Sequence, residues 1–341
     1  MAIPALLEEL LRAPGPSGRE DAVAAIVRRE AAALGAVVEG DVLGSTVARV
    51  AGTAGGRLLA LFAHVDQIGL AVTHVTDDGL LRVRPLASWS PADAVGQRLA
   101  VLGRGGPVTA VARRVGDGDV SWADVRLDIG AASREQALEL VGPGDPAVLA
   151  GEPVAVAGNR VLSGALDDRA GVYAALEALR RLAADPPAWD VALVASVQEE
   201  SGEHGGAAAA AARLRPDVAL VVEVTYEEHA TSSYPAWGEA ALGDGPVVFR
   251  GPVVSPLVAD RLVAAAEAAG VAHRIEAGKA TDSDADDVFT AVGGVATGLL
   301  SIPLRYMHTA SEMAQLDDLD AASRLIEAFA RALEPDASFV R

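Results

Sequence analysis

Six residues of the chain have the side chains needed to hold divalent metal ions and to transfer protons. Each lies in, or just beyond, an apolar and β-branched run, and they are His64, Asp167, Glu199, Glu200, Glu223 and His308. The carboxyl ends of strands in an open α/β sheet bring distant parts of a chain to one site. Any one of them alone would be explained better as a structural side chain, but their joint order favours a two-metal site.

Carboxylate and imidazole ligands suit such a site because two divalent ions carry four positive charges. The carboxylates of Asp167, Glu200 and Glu223 would offset three of these charges and leave an excess to stabilise a bound hydroxide. Ions about 3.5 to 4 Å apart need a short shared ligand, and Asp167 on its LDDR turn fits that role. His64 and His308 would then each complete one ion.

Two further carboxylates are expected to act beside the metal ligands. Glu199 and Glu200 follow a strand and precede a Ser-Gly turn, so one can bind metal while the other faces water. This division makes Glu199 the general base and Glu200 a ligand. Asp66 lies two residues after His64, on the same side of a strand, where it would fix the tautomer of that histidine.

The surrounding segments alternate between strand-like and helical patterns. Buried strand patterns precede His64, Glu199 and His308 and run through Glu223, and amphipathic helical patterns lie between them. The alternation predicts an α/β fold with a mostly parallel sheet flanked by helices. The candidate site residues would line the carboxyl edge of that sheet.

One segment of the chain, residues 72–159, has a different texture. Its short alternating runs are interrupted by Gly, Pro and Asp, which predicts a small β-barrel. Because candidate site residues lie on both sides of it, we expect this segment to be inserted into a catalytic domain formed by residues 1–71 and 160–341.

Composition argues against several other classes of protein. The 341 residues are 51% hydrophobic and contain no cysteine, so we expect a large core and metal binding through histidine and carboxylate. A formal net charge of -19 argues against a nucleic-acid partner. The sequence shows no signal peptide and no run of about 18 uncharged apolar residues, so we expect a cytoplasmic protein without a membrane partner.

The motifs together resemble those of the M42 family of dinuclear metallo-aminopeptidases, and the likeness extends nearly from end to end. It is carried by His64-Val65-Asp66, Asp167-Asp168-Arg169, Glu199-Glu200, Glu223 and Tyr306-Met307-His308. The resemblance implies the same bridging role for Asp167 and the same general base. It places His64 and Glu223 on one ion, and Glu200 and His308 on the other.

The resemblance also implies an activity and an assembly. The activity is removal of N-terminal residues from peptides, and the ligand types suit zinc, cobalt or manganese as the two ions. The assembly is a homo-oligomer, a tetrahedral dodecamer, to which the inserted domain contributes contacts. A cis Asp167-Asp168 peptide bond is implied as well, and we expect Asp168 to cap the helix that follows. The Thr281-Asp282 segment resembles a family loop near the site.

Alternative functions follow from one departure, since Glu223 stands where the family usually has Asp. The chain could be a related two-metal amidohydrolase, a carboxypeptidase or an acyl-amino-acid deacylase. A carboxypeptidase needs a basic residue near the site, and Arg169 and Arg305 are the candidates. A glycan hydrolase is disfavoured because metal-bound carboxylates cannot serve freely as acid and nucleophile. A non-catalytic scaffold is disfavoured because every required position carries a competent residue. His204 is explained better as a loop residue than as a third histidine ligand.

Overall fold

The computed structural model describes residues 2–203, 205–227 and 240–341. His204 lies outside the described residues. Within these ranges the chain forms a large sheet with helices on both faces and a separate closed β-barrel. The predicted fold class, an α/β fold with a small β-barrel, is confirmed.

Eleven strands of the described chain form the large sheet. In chain order they are β1 (Val37–Gly40), β2 (Thr46–Val50), β3 (Leu58–His64), β10 (Val154–Val156), β11 (Arg160–Ser163), β12 (Asp190–Ser196), β13 (Val218–Tyr226), β14 (Val247–Arg250), β15 (Arg274–Ala277), β16 (Ala296–Arg305) and β17 (Glu312–Gln315). Their spatial order is β1-β2-β12-β3-β13-β16-β17-β11-β10, and β14 joins β15 to β16.

The centre of this sheet is parallel, and the strands at the two ends of its main order are antiparallel; off this order, β14 pairs antiparallel with β16 and parallel with β15. Strands β12, β3, β13 and β16 run in one direction, which places their carboxyl ends at one edge. The outer strands β1, β2, β17, β11 and β10 pair antiparallel. All seven residues of β3 are buried, as expected for a parallel strand covered on both faces.

Nine α-helices occur in the described parts of the chain. They are α1 (Ala5–Arg12), α2 (Asp21–Ala33), α3 (Pro91–Ala94), α4 (Arg134–Leu140), α5 (Leu166–Ala184), α6 (Gly205–Leu214), α7 (Pro256–Ala269), α8 (Asp284–Thr290) and α9 (Leu316–Arg331). None of these helices is long and apolar enough to cross a membrane.

Alternate residues of the central strands enter two different cores. Leu59 and Leu61 of β3 pack in the core that contains α1, α2, α5, α7 and α9. Leu58 and Phe62 pack on the opposite face, with α6 and α8. Because successive side chains of a strand point to opposite faces, the sheet packs between two helical layers.

The barrel has its own strands and its own core. Its strands are β4 (Gly69–Val75), β5 (Leu81–Pro85), β6 (Arg98–Gly103), β7 (Gly106–Arg114), β8 (Val125–Asp128) and β9 (Pro146–Leu149), closed in the order β4-β5-β8-β7-β6-β9. Side chains such as Leu70, Leu81, Leu99 and Leu127 fill it. Strand β10 follows the barrel but pairs within the large sheet. The division of the chain into two domains at residues 72 and 159 stays a prediction.

Candidate active site

The candidate residues of the central strands meet at the carboxyl edge of the sheet. His64 is the last residue of β3, and Glu199 and Glu200 follow β12 in a π-helical turn. Because Ser196 pairs with His64 in the parallel register, these two strand ends lie side by side. Glu223 lies within β13, three residues before its end, since β13 stays paired with β16 beyond that point.

The other two candidate ligands come from segments outside the central strands. Asp167 lies at the start of α5 with a non-helical backbone, and regular helix begins only after Asp168. The Asp168 carboxylate accepts the N–H of Gly171 at 3.0 Å, which is the predicted helix cap. The Asp167-Asp168 peptide bond is cis, as the resemblance implied. His308 lies in the connection between β16 and β17, with a positive φ of 63°.

Asp167 lies between the two candidate histidines. Its Oδ1 is 3.0 Å from His64 Nε2, and its Oδ2 is 3.2 Å from His308 Nε2. Glu223 Oε1 lies 3.6 Å from His64 Nε2, and Glu200 Oε2 lies 3.3 Å from His308 Nε2. Two groups of donor atoms result, each spanning no more than 4.8 Å, and Asp167 belongs to both.

The chemistry of these donors fits divalent cations. Glu200 Oε1 is buried and accepts no hydrogen bond from the described residues, so this oxygen is left available to bind a metal ion. Burial and the nearby Asp167 carboxylate raise the pKa of Glu200 to about 7. Burial opposes a charge on His64, but the Glu223 and Glu199 carboxylates raise the pKa of His64 well above its usual value. This dense negative charge favours a bound cation.

Asp66 supports the site in two ways. It is fully buried, and its Oδ1 lies 3.4 Å from His64 Nδ1, where it favours a proton on that nitrogen and leaves Nε2 for a metal. The same carboxylate accepts the backbone N–H groups of Glu199 and Glu200, each at 3.1 Å. The Ser17 hydroxyl donates to it at 2.7 Å. Asp66 therefore holds the turn that carries the Glu pair, a contact that spacing along a strand does not predict.

Two further groups contact the ligands and were missed by sequence reasoning. Glu312 of β17 is buried and accepts the N–H of Asp167 at 3.2 Å and the N–H of His308 at 2.9 Å. Burial and the Asp167 carboxylate raise the pKa of Glu312 to about 8. The carbonyl of Ser88, in the barrel, accepts from His308 Nδ1 at 2.9 Å and so turns Nε2 toward Asp167. The sequence could have indicated Glu312, because this carboxylate lies four residues after His308. It could not have indicated the backbone carbonyl of Ser88, because every residue has one.

The site opens into a cavity of about 530 Å³. The carboxylate residues Asp167, Glu199, Glu200 and Glu223 line this cavity. Thr281 and Asp282 also line it. The segment that resembles a family loop therefore does lie beside the site.

Comparisons with known proteins identify the family of this chain. Residues 44–325 match the family model described as M42 glutamyl aminopeptidase. The lysyl aminopeptidase of Pyrococcus furiosus is 32% identical to this chain, and the alignment covers 97% of each protein.

Solved structures show the same fold over nearly the whole chain. Aminopeptidase APDkam598 from the archaeon Desulfurococcus kamchatkensis superposes with a TM-score of 0.92 and 32% identity, covering 97% of this chain and 95% of that one. The TET1 peptidase of Pyrococcus horikoshii, described as able to assemble into a tetrahedron or a large octahedral shell, gives 0.85 and 29%, with 96% and 99% covered. The chain belongs to the M42 family of aminopeptidases.

Proposed function

We propose that this chain is a two-metal aminopeptidase in which Glu199 is the general base. The observation that carries the proposal is the pair of donor groups that share Asp167 within one cavity. His64 and Glu223 would hold one ion, and Glu200 and His308 the other. Zinc, cobalt and manganese all accept such ligands. When bound, the ions would act as Lewis acids on the scissile carbonyl and on a water molecule.

Glu199 has the position that a proton carrier needs. Neither donor group includes it, yet it lines the cavity, and its Oε2 lies 3.8 Å from His64 Nε2. Its backbone is fixed by Asp66, which limits the freedom of the turn. In the proposed reaction the Glu199 carboxylate takes a proton from the attacking water and delivers it to the leaving amine.

The contacts of the two candidate basic residues support cleavage from the N-terminus. Arg169 is fully buried and donates to the carbonyls of Leu10 at 2.7 Å and Ala13 at 3.2 Å. Arg305 makes two hydrogen bonds to the Glu227 carboxylate, at 2.8 and 2.7 Å. Both guanidinium groups are therefore engaged by the protein itself. A carboxypeptidase would need such a group for the terminal carboxylate, so the carboxypeptidase alternative loses its support.

We expect that peptides with a free N-terminus are shortened from that end, because the carboxylates around the cavity favour a substrate ammonium group. Acetylation of the N-terminus should slow cleavage, and amidation of the C-terminus should have little effect. Mass spectrometry of timed digests distinguishes these outcomes. Loss of residues from the C-terminus, or cleavage that amidation abolishes and acetylation does not, would favour the related amidohydrolase.

We also propose a large homo-oligomer, with the tetrahedral dodecamer as the expected form. Support comes from the Pyrococcus horikoshii relative, described as assembling into a tetrahedron or an octahedral shell, and from the barrel available for contacts. Light scattering at micromolar concentration should report a mass many times that of one chain. A monomer at that concentration would overturn this proposal.

A further inference from the structure

The cavity extends beyond the candidate metal ligands, and this part has a distinct lining. Phe249, Leu299 and Met307 supply apolar surface, and Glu276, Asp282 and Asp286 supply acidic groups. No Lys or Arg of the described chain lines it.

Glu276 is the acidic residue in this lining that is most completely removed from solvent. It lies on β15, is 8% exposed, and accepts a hydrogen bond from the Thr225 hydroxyl at 2.8 Å. Burial raises the pKa of Glu276, and the Thr225 hydrogen bond opposes that shift; among the described residues, no cation acts on this carboxyl group. A buried carboxylate without a counter-charge is unfavourable unless a ligand supplies one.

The other two acidic groups are less suited to receive a ligand charge. Asp286 already accepts hydrogen bonds from the N–H and hydroxyl of Thr281 and from the N–H of Asp282. Asp282 is exposed, so solvent screens its charge. Lys279, the only lysine of the chain, is exposed and is not part of the lining.

The position of Glu276 relative to the candidate ligands suits the first side chain of a substrate. Glu223 and Thr225 lie on the same side of β13, two residues or about 6.6 Å apart. The Thr225 hydroxyl donates a hydrogen bond to Glu276. The Glu276 carboxylate therefore lies beside the residue that is two positions after the candidate metal ligand Glu223. The side chain of a substrate lysine or arginine is long enough to reach from the candidate metal ligands to Glu276. Its methylene groups would pack along the apolar surface of Phe249, Leu299 and Met307.

We propose that Glu276 determines specificity by pairing with a cationic first side chain, so that N-terminal Lys and Arg are preferred. This inference rests on the aminopeptidase function proposed above. It also predicts discrimination against N-terminal Glu, because the Glu276 carboxylate would repel a second carboxylate in the same pocket.

The test compares kcat/KM for amides of lysine, norleucine and glutamate that carry one common leaving group. Norleucine matches the lysine stem but lacks its ammonium, so the ratio of the two isolates the charge. We expect lysine to exceed norleucine by about 30-fold or more, and Glu276→Gln to lower that ratio by a similar factor, as for loss of one partner in a buried charge pair. Glu276→Asp should keep a preference for lysine, and Glu276→Lys should shift preference toward glutamate.

Glu267→Gln is the matched control, since it removes one acidic charge from an exposed position on α7 and should leave the ratio unchanged. Inhibition by free lysine and free norleucine gives a binding readout that does not depend on turnover. Equal cleavage of lysine and norleucine amides, or an unchanged ratio in both the Gln and the Lys variants, would overturn the role of Glu276. If no amide with a free α-amine is cleaved by the metal-reconstituted protein, the proposed function itself fails.

Discussion

Replacing Glu199 with Gln is expected to lower kcat by roughly 10²-fold or more while metal content stays at the wild-type level. The amide removes the group that accepts a proton, but it removes no member of either donor group. The contact that positions the turn runs from the backbone N–H of Glu199 to Asp66, so the substitution preserves it. Steady-state kinetics together with elemental analysis of the same preparation measures both quantities.

Glu267→Gln again serves as the control for this substitution and should change neither kcat nor metal content, because its side chain is exposed on α7. Near wild-type turnover in Glu199→Gln would remove Glu199 from the mechanism. Loss of metal from that variant would instead make Glu199 a ligand.

Asp167→Asn is expected to have a larger effect, because Asp167 is the shared member of the two donor groups. The amide has one carbonyl oxygen in place of two carboxylate oxygens, and it carries no charge. We therefore expect Asp167→Asn to lose metal. Because bound metal ions supply several kcal/mol of charge stabilisation, this loss should reduce kcat/KM by roughly 10³-fold or more. Kinetics at saturating added metal show whether any activity can be recovered.

Asp168→Asn is a closely matched control for Asp167→Asn. It makes the same chemical change one residue later, and an Asn oxygen can still accept the Gly171 N–H that caps α5. Activity and metal binding should survive in this variant. Equal losses in both variants would mean that the turn, and not the shared ligand, accounts for the effect.

Much of the fold could be predicted because the strongest sequence signals coincide with burial. The apolar runs before His64 and Glu199 are the central strands β3 and β12, which are covered on both faces. The edge strands were harder to predict. Strands β1 and β10 are four and three residues long and partly exposed, so they carry too few apolar positions to reveal their direction.

The side chains of the candidate site could be predicted from the sequence, but the contacts that hold them in position were harder to predict. The six candidate residues do meet, because each follows or lies in a strand whose carboxyl end reaches the same edge. The contacts of Asp66 with the turn after β12, and of Glu312 with two backbone N–H groups, depend on loop conformation that spacing does not encode. The Ser88 carbonyl carries no side-chain signal at all.

The central claim is that two ions bind each chain and share Asp167. Its most direct test is the metal content of the wild-type protein and of Asp167→Asn after metal removal and reconstitution with zinc, cobalt and manganese in turn. We predict two ions per chain in the wild-type protein with at least one of these metals, and fewer than two in Asp167→Asn under the same conditions. A wild-type protein that binds one ion or none, or an Asp167→Asn protein that keeps both, would contradict the proposed site.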